Sequence, residues 1–506
     1  MSPGVFLMHG SNSGQMQQCR LLPVSIFAMS RFIQYGIRPI LIVLLLVVTV
    51  YVVRAFDSRR MPDLGPEYRI EFENEFTASR EQSTDWQTYL EIEDALAIEL
   101  EEKIDSDTRP DSLFDRFSAD SATYPGNIDG NWNHSYELSA ASPRGVAVLL
   151  HGLSDSPYSM LSTAQLLAGA GYNVVVPRMP GHGFAVAGLL QVRWEDLTAA
   201  VRIAVRHAMT RPGSGQSLLL VGYSNGGLLA VDYALRCPDS NTTPCPDRIV
   251  LLSPAIGVSS AAVVANWHAA VSWIPYFEKF KWLSVLPEID PFKFTSFTKR
   301  AGWEVYKISN RVHRMLRDPV RVSLLPPILA FQSVVDNTVS SSAVVQNLYA
   351  RLPDNGSKLV AYDVNRNNSV VHLMRRIPAD PLQYFESGAP HNYDVTILRN
   401  RNRRSLAIDA VQLPAGRTEI LVEQTSLSWP RSFYSLSHIA IPFPPDDLLY
   451  GDGRNRKNSD PGIAFGSMAP RGELRVLLLS SDYFLRTRYN PFFRVQSEII
   501  TDWLAK

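Results

Sequence analysis

Ser224 lies between two glycines in SLLLVGYSNGGLLAVDYAL, residues 217–235. The first half is a short aliphatic run expected as a buried strand, and the second spaces its apolar residues as a helix does. A serine in a G-x-S-x-G turn, Gly222 to Gly226, fits a nucleophile elbow. There the strand-to-helix turn is so tight that side chains would collide, and the serine hydroxyl stands exposed above the sheet edge. The bland alternative is a turn made of common turn residues. An elbow serine needs a base, an orienter for that base and donors for an oxyanion. In this arrangement the order along the chain is Ser, then Asp or Glu, then His. Asp336 follows the apolar stretch PPILAFQSV at its carboxyl end, the edge where open α/β sheets bind ligands. Three histidines come later. His438, in SLSHIAIPF, is preferred as the base that accepts the Ser224 proton; His391, in SGAPHNYD, is the alternative, and His372 lies beside a dibasic pair. The oxyanion would take the amide of Asn225, at a helix N-terminus, and that of Leu153, just after the strand that ends in His151 and Gly152.

These residue types point to acyl transfer through a serine ester. No cofactor and no metal are expected, because the histidines form no ligand-spaced cluster. A dehalogenase would want an aspartate at the elbow.

The elements that must position these groups alternate. GVAVLLHG, NVVVPRMPGHG, SLLLVGYS and RIVLLSPA read as strands, with amphipathic helices such as RWEDLTAAVRIAVRHAM between them. Such alternation specifies an α/β fold with a doubly wound, mostly parallel sheet. Two stretches interrupt the rhythm. Residues 256–325 are rich in aromatics, among them Trp267, Trp273, Phe280, Trp282, Phe294, Phe297 and Trp303, and read as a cap over the site that lines an apolar acyl pocket. Residues 366–425 form a second insertion, whose RNRNRR looks like a basic hairpin tip. The expected organisation is an N-terminal extension (1–34), a transmembrane signal anchor (35–55), an acidic helical stalk or arm (56–125) and a catalytic domain (126–506) holding both insertions.

The anchor rests on PILIVLLLVVTVYVV, residues 39–53, between Arg38 and Arg54; a cleaved signal peptide and a buried helix are the alternatives. Residues 1–28 read as a disordered extension or as sequence before a start at Met29. Cys237 and Cys245 bracket a short polar loop, as a disulfide or as two thiols. Together these features point to a single-pass membrane protein whose catalytic domain faces away from the cytoplasm, with the membrane as a partner. Lys and Arg number 49 and Asp and Glu 49 in 506 residues. That balance offers no basic excess for nucleic acid.

HGLSDSPYS, PGHG (Pro180 to Gly183), GYSNGG, VVDNTV and SHIAIPF together resemble the α/β-hydrolase superfamily. They are most similar to its serine-hydrolase branch of esterases, monoacylglycerol-lipase-like and serine-aminopeptidase-like enzymes. The resemblance covers about 130–340 and 425–505. It implies an α/β-hydrolase fold with Ser224 as nucleophile, Asp336 as acid, His438 as base, and Leu153 and Asn225 as oxyanion donors. It also implies that the PGHG loop shapes the pocket and that His182 is structural. The chain departs from the compact pattern in the long separation of Asp336 from His438. The expected substrate is a small-molecule or lipid ester. A peptidase or acyltransferase with the same triad, and a non-catalytic binding protein, are the rivals.

Overall fold

The computed structural model describes residues 37–106, 114–213, 215, 217–239, 243–257, 275–386, 391–454, 463–471, 473 and 481–506. Among these residues ten strands form one mixed sheet. They are β1 (Tyr136–Leu138), β2 (Gly145–Leu150), β3 (Tyr172–Val176), β4 (Leu218–Tyr223), β5 (Arg248–Leu252), β8 (Ile328–Ser333), β9 (Lys358–Tyr362), β10 (Asp394–Asn400), β11 (Ala407–Leu413) and β12 (Leu421–Ser428), in the order β1-β3-β2-β4-β5-β8-β9-β10-β11-β12. From β3 to β10 every neighbouring pair is parallel. β1 closes one edge antiparallel, and β11 and β12 extend the other as antiparallel strands. A hairpin of β6 (Trp282–Ser284) and β7 (Phe297–Thr298) stands apart from this sheet.

β2, β4 and β8 are buried along their whole length. Their unbroken apolar sequences follow from this, since a sheet covered on both faces leaves no strand face for water. Helices α3 (Trp194–Ala208) and α4 (Asn225–Arg236) pack on one side of the sheet, with α5 (Lys299–Met315) against α4. Preceding them, α2 (Trp86–Lys103) buries Trp86, Tyr89, Ile92 and Leu96, which recur at helical spacing. The Tyr89 hydroxyl donates to the Arg178 carbonyl at 2.6 Å, and the buried Arg178 guanidinium meets the Glu75 carboxylate at 2.9 Å. Cys237 and Cys245 are joined as a disulfide.

The stretch read as a second insertion carries β10 and β11 and most of β12. The turn between β10 and β11 contains the basic tip. Its arginines are not all solvated: Arg399 pairs with Asp380 and Arg401 with Asp409.

The N-terminal expectation is corrected. The described residues up to Arg60 belong to one compact unit and those from Met61 to another. In the first, α1 runs Arg38–Arg59, yet no described helix is long and apolar enough to cross a membrane. The physical reason is length. Arg38 and Arg54 close the apolar run at Pro39 and Val53, which at helical rise spans about 22 Å against a hydrocarbon core of about 30 Å. Tyr35 and Gly36, which could have lengthened it, lie outside the described residues, as do 1–34. The transmembrane signal anchor at 35–55 is therefore withdrawn. With it go the single-pass, extracytoplasmic localisation and the membrane as a partner.

Candidate active site

The turn after β4 is as tight as its glycines suggest. A Cβ on Gly226 would stand 2.0 Å from the Leu150 carbonyl oxygen, and one on Gly222 2.4 Å from the Gly226 backbone. Both neighbours are backbone in the sheet and its following helix, so neither can give way. Ser224 sits at φ 54°, ψ −113°, a region that non-glycine residues rarely adopt and that is held only where surroundings enforce it. Its amide donates to the Leu252 carbonyl at 2.9 Å, and its carbonyl accepts from Ala255 at 2.9 Å. These bonds fix the strained turn between β4 and β5.

We expect Gly226→Ala to destabilise the fold by roughly 2–4 kcal/mol, because overpacking against fixed backbone has no relief. Gly169→Ala is the matched control, since nothing lies within 4 Å of its added Cβ. Indistinguishable thermal melts for the two variants would remove the steric account of the elbow.

Asp336 lies in the loop after β8, and its carboxylate is fully engaged. Oδ1 accepts the amides of Thr338 at 2.8 Å and Val339 at 3.0 Å. Oδ2 accepts from Gln332 Nε2 at 3.1 Å and faces His438 Nδ1 at 2.8 Å. Burial pushes the Asp336 carboxyl up, but the hydrogen bond and charge of His438 and the two amides outweigh it. The net effect holds it below its ordinary value, as a carboxylate. His438 opens a helical turn, is 3% exposed, and lies against the Tyr223 ring at 5.3 Å.

Ser224 and His438 line one cavity of about 400 Å³. No hydrogen bond joins them among the described residues; such contacts often tighten only when substrate is bound. Leu153 and Asn225 line the same cavity. Among the described residues neither backbone amide has an acceptor within the protein. Ser154, next to Leu153, has φ 64°, so the loop after β2 is also held in an unusual turn. His391 and His372 do not line this cavity. His391 packs between Phe385 and Tyr393, and His372 is exposed.

The two histidine-glycine motifs are structural neighbours. His151 Nε2 accepts the Met179 amide at 2.9 Å, and the His151 and His182 rings meet at 5.2 Å. Burial lowers the pKa of both rings, that of His182 to about 4, so both are neutral near pH 7. Of the aromatics between 256 and 325, Phe294 and Phe297 line the cavity. Phe280 and Trp282 are core residues, while Trp267 and Trp273 lie outside the described residues.

Sequence reasoning missed four kinds of contact. Gln332 steadies Asp336, and its signal was a polar residue inside an otherwise apolar strand. Lys293 and Asp155 form an ion pair in the cavity wall at 2.5 Å. Arg486 and Arg488 also line the cavity, and their i, i+2 spacing was the available signal. Finally, Ser437 and Thr487 exchange two hydrogen bonds, at 2.8 and 3.0 Å, beside His438. Among the described residues no group of His, Cys, Asp and Glu is arranged to hold a metal ion.

Residues 141–364 match the family model described as serine aminopeptidase, S33 (Hydrolase_4). A thermostable monoacylglycerol lipase from Bacillus sp. (strain H-257) is 34% identical over 97 residues. That match takes in 19% of this chain and 37% of the enzyme's length, so the chain spans well under half of this curated relative. Solved structures offer fainter likenesses. A structure of the metagenome-derived lipolytic enzymes LipS and LipT is 22% identical with a TM-score of 0.37, covering 46% of this chain and 87% of its own. The Paleococcus ferrophilus monoacylglycerol lipase is 19% identical at a TM-score of 0.35, covering 46% and 89%. Neither TM-score carries functional weight. Residues 141–364 are thus similar to a hydrolase family model, and the mixed, mostly parallel sheet is α/β-hydrolase-like. No specific enzyme identity follows.

Proposed function

We propose that this α/β-hydrolase-like chain is a serine hydrolase that cleaves carboxylic esters with Ser224, His438 and Asp336. The observation that carries the reading is the Asp336–His438 contact at 2.8 Å, opening on the same cavity as a serine held at positive φ. Asp336 accepts the Nδ1–H of His438, which leaves Nε2 free to accept the Ser224 proton. Ser224 Oγ then attacks the ester carbonyl, and the electron pair of the C=O bond moves to oxygen. The amides of Leu153 and Asn225, unpaired among the described residues, are available to that oxyanion. Collapse breaks the C–O bond to the alcohol, which leaves with the proton from His438. Water, deprotonated by His438, attacks the acyl-enzyme, and Ser224 takes the proton back as the acid departs.

The apolar part of the cavity wall, with Leu153, Ala255, Phe294, Phe297, Val305 and Ile439, favours an acyl group over water. Each methylene moved into such a pocket contributes about 0.8 kcal/mol. Esters of moderate acyl length are therefore expected to outrun acetate esters.

Amide hydrolysis is the second reading, favoured by the description of the matching family model. The test is kcat/KM over p-nitrophenyl esters from acetate to palmitate, beside an aminoacyl anilide series. Faster anilides would replace the esterase reading with the peptidase one. Failure of a fluorophosphonate probe to label Ser224 would leave a binding protein on a hydrolase-like fold.

A further inference from the structure

The lining of the cavity also carries cationic side chains. Lys293, Arg486 and Arg488 face it, and Asp155 is the one carboxylate that lines it among the described residues. Asp155 is already joined to Lys293. The other carboxylates nearby accept hydrogen bonds from other groups, although Asp290 Oδ2 has no hydrogen-bond partner among the described residues. Asp336 is taken by His438 and two amides. Asp290 accepts from the Tyr450 hydroxyl and the Phe292 and Lys293 amides. Glu288 accepts the Thr295 and Ser296 amides.

Neither Arg486 nor Arg488 is paired in this way, although Arg486 feels the charge of Asp336 and Arg488 that of Asp290. Among the described residues neither forms an ion pair with a carboxylate. Arg486 donates to the neutral Thr338 hydroxyl at 3.1 Å. Arg488, 6% exposed, stacks on the Tyr483 ring at 4.3 Å. Burial pushes the Arg486 guanidinium down from its ordinary value, as expected of a cation with too little anion around it. Arg486 is half-buried and Arg488 buried, and cations so placed without an ion pair are costly. Thr487, between them, is locked to Ser437 by two reciprocal hydrogen bonds. The segment that carries both arginines is thus tied to the one that delivers His438.

We propose that Arg486 and Arg488 bind an anionic group of the substrate, so that the enzyme hydrolyses amphipathic esters that carry a carboxylate or phosphate beyond the scissile bond. The inference rests on the hydrolase reading above and names the substrate class of that same site. A guanidinium pair can hold either anion through paired N–H donors. The acyl group lies along Phe294, Phe297 and Val305, and the anion lies at the arginines.

Two matched pairs of compounds separate the sources of charge. Monomethyl adipate against methyl hexanoate places a carboxylate on the acyl side. 1-Hexanoylglycerol 3-phosphate against 1-hexanoylglycerol places a phosphate on the alcohol side. Turnover is measured with the wild-type chain, and binding by calorimetry with Ser224→Ala, which needs no catalysis. The anionic member of at least one pair should be preferred by about tenfold or more, the scale of a charged hydrogen bond. That ratio should fall towards one in Arg486→Gln and Arg488→Gln and recover in part in the lysine variants. If a glutamine variant does not fold, the lysine variants and the loss of the wild-type ratio in high salt carry the decision. Ratios at or below one for both pairs, or ratios indifferent to these arginines, overturn the inference even if Ser224 is labelled and neutral esters are cleaved. Selective anion binding that depends on these arginines, without turnover or labelling, would uphold the anion site and overturn the hydrolase reading instead.

Discussion

Ser224→Ala should lower kcat/KM for its best ester by about 10³-fold or more, since members of a catalytic unit fail together. The melting temperature should barely move. The Ser224 hydroxyl makes no hydrogen bond within the protein among the described residues, so its removal leaves no buried partner unsatisfied. It faces a cavity that already exists, so no new void opens in packed core. Alanine keeps the Cβ that serine already places in the strained turn, and the backbone bonds to Leu252 and Ala255 remain. Initial rates, a thermal melt and fluorophosphonate labelling on one preparation settle the matter. Wild-type-like turnover would end the proposed mechanism, and a collapsed melt would show that the serine is structural.

The elbow was legible because its chemistry and its sterics leave marks in the same residues. A Cβ 2.0 Å from Leu150 O admits no side chain, so the glycines stand in the sequence as a direct record of the turn. The alternating strands were legible for a similar reason, since strands buried on both faces must be apolar throughout. Asp336 could be found from its place after such a strand. His438 was harder. Between β9 and His438 the chain leaves the parallel pattern to add β10, β11 and β12 at the sheet edge, and local sequence does not say that it returns.

Other features were illegible because they depend on partners far along the chain. The Arg486 and Arg488 side chains look like surface cations until Thr487 is seen to pair with Ser437. The aromatics of 256–325 look alike in sequence, yet Phe294 lines the cavity and Trp282 fills the core. The run from Pro39 to Val53 misled in another way. Its composition suited a membrane, but its length between arginines did not, and length is what the bilayer measures.

The second large effect should appear in Asp336→Asn. The asparagine is nearly isosteric, and its Oδ1 can still accept the Thr338 and Val339 amides. Its NH₂ then points where Oδ2 now receives Gln332 Nε2 and faces His438 Nδ1. Gln332 can adapt, because its Oε1 is buried without a partner and a turn of the amide presents it to the new donor. The fold is therefore expected to survive. His438 cannot adapt without loss: with a donor facing Nδ1, its proton moves to Nε2, the nitrogen that must accept from Ser224. The wrong tautomer and the lost countercharge should together lower kcat by up to about 10⁴-fold. His438→Ala should match Ser224→Ala, whereas His391→Ala and His372→Ala should keep most activity, since neither lines the cavity. The measurement is kcat for the four variants with circular dichroism and melts as folding controls. Retained activity in Asp336→Asn, or its loss in His391→Ala, would remove Asp336 and His438 from the proposed roles and move the base into the stretch between 366 and 425.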